Sequence, residues 1–91
     1  MKFEELKNRL EEAVSNGGEP EYPFLLNDKK YMIIGFKNFV TFQRFGDKEE
    51  DRSGEKYFKD IDELYNTETI DGIVLKRDWN NIESFDEYEL L

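Results

Sequence analysis

The chain contains no cysteine and no histidine. Without cysteine there is no disulfide framework, no thiolate metal site and no sulfur nucleophile, and a reducing compartment is permitted. Without histidine the side chain most often used for proton transfer near neutral pH is gone. The serines, Ser15, Ser53 and Ser84, all lie outside a G-x-S-x-G elbow. No stretch approaches the roughly 20 apolar residues of a membrane-spanning helix. The opening MKFEELKNRLEEAV breaks its apolar positions with Glu and Lys, which is not the pattern of a signal peptide. A soluble, cytoplasmic protein with no membrane association is the expectation. The Lys, Asn, Ile and Glu usage suits an AT-rich bacterial or phage genome.

Cations are scarce in one region only. The net charge is −9, yet residues 1–59 carry 11 basic against 12 acidic side chains, while residues 60–91 carry 2 against 10. After Arg77 nothing offsets Asp78, Glu83, Asp86, Glu87 and Glu89. Such asymmetry bears on which partners are attracted, not on the fold.

Ninety-one residues, 15% of them aromatic, suffice for one domain with a modest core. Phe3, Leu6, Leu10 and Val14 recur at spacings of three and four, which predicts a helix to about Ser15. Asn16-Gly17-Gly18 stops it through a left-handed cap, and Pro20 prevents resumption. Residues 22–45 change to strand composition, with Asn27-Asp28 and Lys37-Asn38 at turn positions, so an antiparallel meander is expected. Its second strand is apolar on both faces and therefore central, with Ile33 and Ile34 buried. In the third, Val40 and Phe42 should pack while Thr41 and Gln43 meet solvent. Pro23 lacks a ladder N–H, which places the first strand at an edge or starts it there.

Gly46 to Gly54 reads as a solvated loop, and Glu55–Lys59 as a returning fourth strand. Asp60-Ile61-Asp62-Glu63 matches a capping box ahead of a short helix ending near Asn66. Leu75, Trp79 and Ile82 predict a second helix from about Ile73 to Glu83, with a hairpin around Asp71-Gly72 as the alternative. Residues 84–91 form an unassigned acidic tail. The fold class is α+β: an N-terminal helix, an antiparallel sheet of three or four strands, and two short helices, all in a single domain spanning residues 1–91.

Candidate chemistry is thin. Asp47, Glu49 and Asp51 have the first spacings of a calcium loop, but Arg52 stands where glycine is required and Phe58 where a bidentate Glu is required. The glycine pairs form neither a P-loop nor a dinucleotide fingerprint. Tyr31, Phe36, Phe39 and Phe42 suggest base stacking, but the basic field that nucleic acid requires is missing, so core packing is expected. No catalytic residue, metal ligand or cofactor is implied.

Trp79 is expected in the core with Leu75 and Ile82; the alternative is an interface anchor. The partner surface indicated by charge and aromatics is Tyr65, Asp78, Glu83, Phe85, Asp86, Glu87, Tyr88 and Glu89. The reading is a small non-enzymatic protein acting through protein–protein contact, with this acidic third meeting a basic protein. An immunity protein, an inhibitor of a nucleic-acid-binding enzyme or a phage accessory protein would fit. A homodimer built on an edge strand or aromatic patch is the second expectation, and an enzyme using carboxylates alone the third.

Overall fold

A computed structural model describes residues 2–44 and 54–84. Helix α1 runs Phe3–Ser15 and buries Phe3, Leu6 and Leu10 along the predicted stripe. It ends at Asn16. Gly17 takes φ +88°, the Gly17 N–H donates to Val14 O at 3.0 Å, and the Gly18 N–H donates to Ala13 O at 2.9 Å. That pair of bonds is a Schellman cap, and it needs glycine at the left-handed position.

Four strands follow as an antiparallel meander: β1 Glu21–Leu26, β2 Lys29–Gly35, β3 Val40–Arg44 and β4 Glu55–Phe58. Asn27 and Asp28 both have positive φ, 54° and 63°, so β1 and β2 join through a two-residue turn whose twist matches the strands. Strand β2 is central in the order β4-β3-β2-β1-β5, as its composition predicts. The fifth strand, β5 Glu83–Ser84, pairs with β1 at Phe24 and Leu25.

Two further helices are short. In α2, Ile61–Asn66, Asp60 Oδ1 accepts the Glu63 N–H at 2.8 Å, the first half of the expected capping box. The predicted helix over 73–83 is cut to α3, Leu75–Asp78, followed by a 3-10 turn at Trp79–Asn81. Local bonding accounts for the difference at both ends. Asp71 and Gly72, at φ 54° and 74°, close a tight turn in which the Ile73 N–H donates to Ile70 O at 3.0 Å. Thr69 holds Ile73 O from both its N–H at 2.8 Å and its hydroxyl at 2.7 Å, so the helix starts later. Beyond Asn81, Ile82 is extended at φ −77°, ψ 135° and leads directly into β5. The alternative hairpin at Asp71-Gly72 has its turn but no flanking strands.

One apolar cluster unites the helices with one face of the sheet: Phe3, Leu6, Leu10, Tyr22, Phe24, Tyr31, Ile33, Phe42, Phe58, Leu64 and Leu75 are among its members. Phe24, Tyr31 and Phe42 interlock with ring centroids 5.5–5.8 Å apart. Gly35 lets α1 approach: a methyl group there would lie 3.3 Å from both Val14 Cγ2 and Pro20 Cγ. Three strand expectations change. Pro23 neither starts β1 nor lies on an edge strand, since β1 begins at Glu21 and β5 pairs along its outer side at Phe24 and Leu25. Ile34 is only half-buried, because it points away from the helices. Thr41 is 2% exposed rather than solvated, since it sits between Ile34 of β2 and Tyr57 of β4 on its own row.

Candidate protein-interaction surface

The register fixes which side chains share the face opposite the helices. Across it run a row of Glu21, Ile34, Thr41 and Tyr57, a second of Pro23, Met32, Gln43 and Glu55, and a third of Glu83, Leu25 and Lys30. The centre is apolar and the corners are charged. Antiparallel sheets with one solvated face ordinarily make that face polar; here Leu25, Met32 and Ile34 are half-buried with no described helix over them.

An aromatic strip extends this face past the β2–β3 turn. Phe36 stacks on Phe39 at 4.6 Å, and Phe39 on Tyr57 at 5.6 Å. Phe39 is 37% exposed and Tyr57 60%, the two exposed large apolar side chains among the described residues. The Phe36 N–H donates to Phe39 O at 2.9 Å, so backbone bonding holds the first pair together.

Around the strip's inner side lies a hollow of about 520 Å³ between the end of α1, the β2–β3 turn and the β4–α2 junction. Leu10, Val14, Gly35, Val40 and Ile61 line its depth, with Lys37 and Lys59 among the polar residues around it.

The described acids of residues 60–84 are mostly engaged on the helix side. Asp60 caps α2. Asp62 pairs with Lys7 Nζ at 3.0 Å, which raises the Lys7 pKa through that bond. Asp71 accepts the Tyr31 hydroxyl at 2.8 Å and lies 3.7 Å from Arg44 Nη1. Tyr31 is pushed up to about 12, first by burial and then by that hydrogen bond to a carboxylate.

Of the partner-surface residues indicated by sequence, Tyr65 is half-buried and stacks on Phe3 at 3.8 Å. Asp78 binds Arg77 through both oxygens and accepts the Val74 N–H at 3.1 Å. The bond from Arg77 holds its carboxyl below the usual range, with the Val74 N–H adding to the effect. Trp79 is partly buried at the core's edge, 5.3 Å from Phe3 in a T-shaped contact. Glu83 is exposed and shares Leu25's face, so β5 delivers it to the side of the sheet that no described helix covers. Phe85, Asp86, Glu87, Tyr88 and Glu89 lie outside the described residues, as do Asp47, Glu49 and Asp51.

Sequence reasoning missed Glu21, Met32, Ile34 and Glu55 as members of one surface. The alternation of β1 and β2 carried the signal, but only the strand register shows which positions face away from the helices. Among the described residues no cluster of three or more acidic side chains could hold a metal ion, and no helix is long and apolar enough to cross a membrane. Comparison with protein-family models, with curated proteins and with solved structures found no match.

Proposed function

We propose that this chain is a cytoplasmic, non-enzymatic domain that acts through protein–protein contact, the sheet face that no described helix covers meeting a basic, partly apolar partner protein. The observation that supports this is an apolar face and exposed aromatic strip with Glu21, Glu55 and Glu83 at its corners and, among the described residues on its strand rows, one cation, Lys30. Apolar centre and charged rim are the general anatomy of interfaces, and aromatic side chains are enriched there. An inhibitor or immunity protein directed at a basic target fits these features. Of the described acids in the last third, Glu83 lies on this face, whereas Asp60, Asp62, Asp71 and Asp78 bond within the fold.

The test compares affinity capture by the parent, by Glu21→Gln/Glu55→Gln/Glu83→Gln and by Phe39→Ser/Tyr57→Ser, at low and high salt. One basic protein retained by the parent at low salt and weakened by both sets of substitutions is the expected result. Exposed charges act chiefly on association rate and are screened by salt. Capture indifferent to all three changes would place the contact elsewhere. A parent that sediments as a dimer, with Phe39→Ser/Tyr57→Ser a monomer, would assign the same face to a second copy.

A further inference from the structure

We propose that the hollow beside the aromatic strip is a binding site for an amphipathic carboxylate, its apolar body inside and its carboxylate at Lys37 and Lys59. The depth of the hollow reaches the core itself: Leu10 is 1% exposed, Ile61 4% and Val40 7%. Gly35 leaves room where a side chain would close on Val14 and Pro20. Its volume, about 520 Å³, falls within the range of single-ligand pockets, roughly 300–1,000 Å³, which are mostly apolar with a few polar groups at defined places.

Charge selects the head group. Lys37 and Lys59 are exposed, and neither forms an ion pair with a described side chain. Of the two acids in the lining, Asp60 already accepts the Glu63 N–H at 2.8 Å as the cap of α2. Glu11 stands on the exposed side of α1, where its charge acts on Lys7. The opening therefore presents two uncommitted ammonium groups above an apolar interior, on a protein whose overall field is negative. Exposed charges are screened within about 8–10 Å at ordinary salt, so these two ammonium groups act on an anion only near the opening. A carboxylate with an aliphatic tail satisfies both parts, whereas a bare anion would leave the interior unfilled.

The probe is decanoate, titrated into ¹⁵N-labelled protein below its aggregation limit, beside octanoate, decanol and decyltrimethylammonium. Saturable shifts confined to the end of α1, the β2–β3 turn and the β4–α2 junction are expected. Decanoate should bind more tightly than octanoate by about fourfold for each methylene buried, and more tightly than decanol or the cationic analogue. Lys37→Glu/Lys59→Glu should weaken decanoate at least tenfold and improve decyltrimethylammonium. Ser15→Trp, made at an exposed position on the rim, should abolish both; circular dichroism checks that each variant is folded. Equal binding of the three ten-carbon probes, shifts spread over the opposite sheet face, or no saturable binding would overturn the proposal.

Discussion

The Tyr31 hydroxyl donates to Asp71 Oδ2 at 2.8 Å, tying the middle of the sheet to a turn 40 positions further along the chain. Asp71 has φ 54°, so the turn that presents its carboxylate is itself left-handed, and Arg44 from the end of β3 approaches the other oxygen at 3.7 Å. The side chains of β2 and β3 thus fix where the segment between α2 and α3 lies. Tyr31→Phe should cost about 1.5–3 kcal/mol in urea denaturation, the usual range for a hydrogen bond to a charged group. A loss below about 0.5 kcal/mol would mean that the bond adds nothing to packing.

The same contact sets a pH dependence. Tyr31 ionises near 10.0 when unfolded and at about 12 in the fold. Its raised folded pKa means that the contribution is fully present below pH 10 and is lost as pH rises through 12. The stability difference between parent and Tyr31→Phe should be flat from pH 7 to 9, then shrink by about 2–3 kcal/mol across the window above pH 10. A difference that does not change up to pH 12 would contradict the assignment.

Asp60→Ala should destabilise by about 1 kcal/mol through loss of the α2 cap, while Asp60→Asn keeps most of it. The comparison separates the hydrogen bond from the charge. Equal losses in both variants would assign the effect to the charge.

Gly35→Ala and Gly72→Ala should both destabilise for different reasons. At Gly35 the added methyl meets Val14 and Pro20 at 3.3 Å, an overpacking cost of about 1–3 kcal/mol. At Gly72 the space is open and φ +74° is the obstacle, worth about 1 kcal/mol. Gly72→Asn should recover part of that loss, because Asn tolerates the left-handed region, whereas no such rescue applies at Gly35.

Trp79→Ala should cost about 2–3 kcal/mol rather than the upper range for a fully enclosed aromatic, since Trp79 packs against Phe3 and Tyr22 from the core's edge. Denaturation midpoints of parent and variant measure it. A midpoint equal to the parent's would show that the two ring contacts carry no stability.

The elements were legible wherever one local rule decided them. Helix α1 follows from its stripe and its Asn-Gly-Gly stop, α2 from Asp60, and β1 to β3 from strand composition joined by short turns at 27–28 and 37–38. The helix expected over 73–83 failed because the spacing of Leu75, Trp79 and Ile82 says nothing of Thr69, which holds Ile73 back, or of β1, which draws residues 83–84 into a strand. The candidate surface was harder still. Composition marked the acidic third correctly as charged, but whether a given acid faces solvent or the fold depends on partners far away in sequence: Lys7 for Asp62, Tyr31 for Asp71. Glu83 and Glu21 lie far apart in the chain, and nothing local reveals that both belong to one side of the sheet.

The two-residue pairing of β5 on β1 has a bearing on how the molecule associates. The turn at Asn27-Asp28 closes on Leu26 and Lys29, so alternate residues of β1 direct their backbone groups to β2, and Pro23 turns its missing N–H outward. A strand added there would find Ser84 and Glu83 already in place and, one step further, no donor to bond. At the opposite flank β4 offers only four residues, with Glu55 and Lys56 among them. Short flanks, proline and charge are how proteins discourage endless strand-by-strand growth. With its described margins closed off in this way, the sheet offers little edge along which a further strand could extend it.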